Sequence, residues 1–194
     1  MTDKTLQDRF GAGTAATVPQ DYSVDDSTAR VFLADLRKLL NGSAAARRLM
    51  DVGDEQGVTV RFMRGMKETV YVPENKTIFI TITARSTATP TLALQYAGAL
   101  REVEQNILGY ARPGTGVDDD TWVTQNAVKN LDIIRNLCII GKELDQQNQG
   151  VGVFLDTLVS LGYGDINQAL MNGASEDQLL RLYAQQEQIE IKEG

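Results

Sequence analysis

One change of hydrophobic period constrains this chain more than any other feature. Apolar residues recur at helical spacing on both sides of residues 58–83, and only inside that window do they alternate singly. Val58, Val60 and Phe62 alternate with Thr59, Arg61 and Met63, and Thr69 to Val72 form a second short run. Ile78, Ile80 and Ile82 then share one face of a run from Thr77 to Thr83, with Pro73-Glu74-Asn75-Lys76 as the turn before it. The pattern predicts a small antiparallel meander of about three strands. So small a sheet does not stand alone, and helices must cover its isoleucine face. The chain therefore reads as an α+β fold, a helical domain carrying one small sheet.

Local signals set the helices. Asp26 or Ser27 caps a first helix carrying Ala29, Phe32, Leu33, Leu36, Leu39 and Leu40, and Asn41-Gly42 ends it. Ser43 starts a shorter one through about Val52, closed by Gly53. Thr89-Pro90 places a good N-cap before a proline at the first helical position. The buried stripe of that helix reads Leu92, Tyr96, Leu100, Val103 and Ile107, and Gly109 stops it. Asp118-Asp119-Asp120 opens a long helix to about Gln147, its acidic side chains meeting the positive end of the dipole. Helices follow over 151–161 and 165–171, and Ser175 with Gln178 forms the capping box of the last. Residues 1–26 are poor in large apolar groups and read as a flexible arm, leaving a single domain over 27–194.

The residue inventory narrows the chemistry. The 194 residues contain no histidine and one cysteine. Histidine-based nucleophile activation, imidazole acid/base catalysis and ordinary zinc sites are thereby removed. Cys138 lies in the apolar run Leu137-Cys138-Ile139-Ile140 with no basic neighbour, the setting of an inert thiol. A net charge of −7 disfavours nucleic acid and anionic membranes, though a small basic patch is open to a set such as Arg47, Arg48, Arg61 and Arg64 on neighbouring segments. No stretch has the length and apolarity of a membrane span, and no signal peptide opens the chain, so a cytoplasmic location is expected.

The stretch Gln95-Tyr96-Ala97-Gly98-Ala99-Leu100-Arg101-Glu102-Val103-Glu104-Gln105 follows the strands and lies in a helix. In that setting it resembles the zincin metallopeptidases, and most of all bacterial metallopeptidase-like families of uncharacterised activity whose helix reads His-Glu-Leu-Arg-His and then Gln. Leu100-Arg101 and Gln105 match that pattern, within a resemblance spanning residues 27 to about 185. Gly98 stands at the first zinc ligand, Ala99 at the catalytic glutamate and Glu102 at the second ligand. Two histidines four apart share a helical face and grip one zinc, while the glutamate between them acts as base on its water. The third ligand of the family comes from a downstream acidic helix, whose counterpart here is Asn130-Leu131-Asp132-Ile133, with Asn130 in place of the acid. The resemblance thus implies a zincin-like arrangement stripped of its metal site. An amphipathic helix with Arg101, Glu102 and Glu104 on its exposed face explains the same residues without ancestry. Gly98, costly in mid-helix, marks either a lost side chain or a close backbone approach.

Other groupings carry less. Asp118-Asp119-Asp120 lacks the alternation of a calcium loop, and Arg112-Pro113-Gly114-Thr115-Gly116 lacks the Gly-Lys-Ser/Thr of a phosphate loop. Gly162-Tyr163-Gly164 reads as a turn, and the Gln-rich stretches 146–149 and 185–188 as solvated helix ends.

The expectation is a non-catalytic, zincin-like domain with no metal or cofactor that binds a protein or peptide partner. The binding groove would run between the strand Ile78 to Thr83 and the helix, offering Ile80, Tyr96, Glu102 and Gln105 and accepting an extended peptide by backbone pairing. Two alternatives stay open. One is a carboxylate-based metal-dependent hydrolase using Glu102, Asp132 and Glu104. The other is an acidic structural or adaptor protein acting through its surface and its arm.

Overall fold

In the computed structural model, residues 24–64, 66, 68–82, 89–110 and 118–189 are described. Helix α1 spans Asp26–Leu40 and α2 Ala44–Glu55; strands β1 (Thr59–Arg64), β2 (Val70–Val72) and β3 (Thr77–Ile82) follow. Helices α3 (Pro90–Ile107), α4 (Asp119–Gln147), α5 (Val153–Ser160), α6 (Gly164–Met171) and α7 (Glu176–Glu187) complete the order. The α+β class holds. Of the expected arm, residues 1–23 lie outside the described residues, as do Thr83 and the segment Arg112–Gly116.

The caps explain the helix starts. Asp25, one residue earlier than expected, accepts from Thr28 N and opens α1. Ser43, Thr89 and Asp118 cap α2, α3 and α4 in the same way, and Ser175 with Gln178 forms a full capping box on α7. Helix α2 runs past Gly53 to Glu55, because that glycine is buried inside the helix and the left-handed turn comes at Gly57, φ +68°.

The sheet departs from the expected antiparallel meander. Its order is β1-β3-β2: β3 pairs with β1 in parallel, Thr59 opposite Thr77 through Arg64 opposite Ile82, and with β2 antiparallel, Val70 opposite Phe79. Burial explains the central place of β3. All its residues except Thr81 are buried, on both faces, so it is best enclosed by a strand on each side. The short turn through Pro73–Asn75 forces β2 to be its antiparallel neighbour, and β1 takes the other edge.

One continuous core joins Leu36, Leu40, Leu49, Phe62, Ile78, Ile80, Leu94, Leu100 and Ile140. Phe32 of α1 packs on Phe62 of β1 with ring centroids 5.2 Å apart. Helix α3 lies at the centre, touching the sheet, α1, α2, α4 and α5. Helix α4 is the outer organiser. Its Glu143 accepts from Ser43 Oγ (2.6 Å) and Ala45 N (3.1 Å) at the start of α2. Its buried Asp145 accepts from Phe154 N (3.0 Å) and Leu155 N (2.8 Å) at the start of α5. Two carboxylates of one helix thus cap two others, where the dipoles favour negative charge. Among the described residues no helix is long and apolar enough to cross a membrane.

Candidate functional site

The polar residues of α3 turn inward. Arg101 grips Asp132 of α4 with two parallel bonds, Nε to Oδ2 at 2.8 Å and Nη2 to Oδ1 at 2.9 Å. Its Nη1 also bonds Glu104 one turn on, and Glu104 takes a second guanidinium from Arg48 of α2, whose Nη2 lies 3.1 Å from Oε2. Gln105 Nε2 donates to Asp132 Oδ2 (2.6 Å) and to the Lys129 carbonyl (3.0 Å). These groups lock α2, α3 and α4 in one mutual position. Glu104 is 8% exposed, so the exposed acidic face expected for this helix does not exist at Glu104. Burial works to raise the Asp132 pKa, but the hydrogen bonds from Arg101 and Gln105, with the charges of Arg101 and Arg135, outweigh it and hold the carboxyl below its usual value.

Gly98, matched to the first metal ligand, faces this same helix. A Cβ placed on Gly98 would lie 3.5 Å from Ile133 Cγ2 and 3.8 Å from Leu137 Cδ1, ordinary contact distances. Gly98 is therefore no obligatory close approach, and the space beside it toward α4 holds these apolar side chains. Ala99 is buried, and Glu102 is half-buried on the Gly98 face, one turn on. Asn130, in place of the third ligand, donates to the Tyr183 hydroxyl on α7 at 3.0 Å. Among the described residues no three His, Cys, Asp or Glu side chains are grouped as a metal site. Of the carboxylates proposed for metal chemistry, Glu104 and Asp132 are both engaged by arginine. At the start of α4, Asp118 accepts from Thr121 N (3.0 Å) and Thr121 Oγ1 (2.7 Å), which is capping.

Three of the four residues named for the expected groove are buried. Ile80 is fully buried, Tyr96 is 2% exposed, and the buried Gln105 turns its Nε2 to α4 while its Oε1 has no partner among the described residues; Glu102 alone is half-buried. Burial pushes the Tyr96 phenol up to about 12. Strand β3 is paired on both sides, so it offers no free edge along Thr77–Phe79. Beyond that ladder the Thr81 N–H reaches only the Thr69 hydroxyl, at 3.4 Å, and Thr69 in turn lies 3.4 Å from Gln95. Cys138 is buried and its thiol is pushed up to about 12, as its apolar surroundings led us to expect.

What the sequence reading missed is the far end of the same helix pair. Ile107, assigned to the buried stripe, is 48% exposed; Leu108 is 61% and Tyr110 64% exposed. On α4, Val128, next to the Lys129 whose carbonyl Gln105 reaches, is itself 45% exposed. The periodic stripe of α3 runs through Ile107 without revealing that the core ends at Val103. The adjacency Ile107-Leu108 just before Gly109 is the only signal that one of the pair must face outward.

No family model, no curated protein and no solved structure matches the chain.

Proposed function

We propose that the chain is a non-catalytic protein-interaction domain, zincin-like in the placing of its central helix, that meets a protein partner through the apolar end of the α3/α4 pair. The carrying observation is the run of large apolar side chains held out at the end of α3: Ile107, Leu108 and Tyr110, each about half or more exposed. Apolar side chains gathered on a surface are characteristic of recognition sites, and tyrosine is favoured at the centres of interfaces. The zincin-like reading is supported by Gly98 facing the downstream helix that brings the third ligand in that family, with Ile133 and Leu137 packed beside it. The non-catalytic reading is supported by Arg101 and Arg48 engaging Glu104 and Asp132, two of the three carboxylates named for metal chemistry.

The experiment compares partners recovered by the unaltered protein, by the pair Leu108→Asp with Tyr110→Ser, and by Val31→Asp, an exposed apolar residue on α1. A partner lost only with the first variant is expected. One retained by it at full affinity rejects this surface. Calorimetric titration with Mg²⁺, Mn²⁺ and Ca²⁺ addresses the carboxylate-based hydrolase: stoichiometric binding abolished by Glu102→Ala would replace the present reading.

A further inference from the structure

We draw no further inference here: the strongest candidate, the outer edge of β1, where the Val24 N–H donates to the Phe62 carbonyl at 3.2 Å and Arg61 and Arg64 stand exposed, rests on the chain before Val24, which lies outside the described residues.

Discussion

Along one helix pair, two neighbouring stretches invert the usual placement of side chains. From Arg101 to Gln105 the charged and amide groups of α3 turn into the contact with α2 and α4. Two residues past Gln105, Ile107 and Leu108 turn apolar side chains to solvent. Neither arrangement maximises stability. A buried ion pair barely recovers its desolvation cost, and a well-packed apolar replacement is often as stable. What the network gains is geometry: a bidentate arginine holds Asp132 in one orientation, and the fork on Glu104 fixes α2 to the same frame. The exposed end has no such ties, and its apolar area is withdrawn from water only when something covers it. The two stretches therefore differ in what completes them, the first being closed by its neighbours and the second left exposed among the described residues.

Removing the centre of the network gives the largest expected effect. Glu104→Ala removes the buried carboxylate that joins Arg101 to the half-exposed Arg48, and the expected loss is about 3 kcal/mol in urea unfolding. Arg48→Ala takes away a half-exposed partner and costs less than about 1 kcal/mol. Equal losses in the two variants would mean that Glu104 is held by packing alone, and the comparison would fail.

Acid should dismantle the same contact. The folded Asp132 pKa lies below its unfolded value, so its contribution is complete above the usual carboxylate pKa near 4 and fades as pH falls through the folded value. Asp132→Asn is expected to be less stable than the unaltered protein at neutral pH, with the gap closing below about pH 4. The effect is smaller than that of Glu104→Ala, since the Asp132 side chain is 37% exposed and solvent screens its pair. Urea midpoints of both proteins across that range provide the measurement, and a gap independent of pH would separate Asp132 from the charge network.

Two glycines sharpen what packs closely around α3. A Cβ on Gly53 would lie 2.7 Å from Cδ2 of the buried Leu100, so the leucine must shift within the core. Overpacking of that kind costs about 1–3 kcal/mol, against which the better helix propensity of alanine returns up to about 1, so Gly53→Ala is expected to lose roughly 1 kcal/mol. Gly98→Ala meets only ordinary contacts and should gain about 0.5–1 kcal/mol. Thermal midpoints moving in opposite directions are the expected result. A destabilised Gly98→Ala would show that α3 and α4 tolerate no added atom there.

These glycines also show where the sequence was legible. Gly98 drew notice as a mid-helix glycine, yet the tight contact belongs to Gly53, which reads as a helix terminator. Helix starts were readable because a cap is settled by side chains within three residues: Ser43, Thr89 and Ser175 all act as their spacing suggests. Even the one-residue error at Asp25 lies among consecutive acceptors of equal chemistry. Strand existence was readable from alternation, but strand order was not, since a parallel and an antiparallel neighbour demand the same alternation. The ion-pair network was illegible for a further reason. Arg48 and Glu104 are 56 residues apart, and only the packing of α2 on α3 reveals that an arginine at one answers a glutamate at the other.

The smallest expected effect tests the open half of the comparison. Leu108→Asp with Tyr110→Ser alters side chains that are 61% and 64% exposed. Such positions support little of the core; Leu108 is the C-cap of α3, where an added negative charge opposes the helix dipole at a cost of about 0.5 kcal/mol. The pair should therefore unfold at nearly the same urea concentration as the unaltered protein while presenting a polar end to any partner. A loss beyond about 1 kcal/mol would place these residues among the supports of the fold. The apolar end would then be a second closed region, and the argument for recognition at this surface would fall with it.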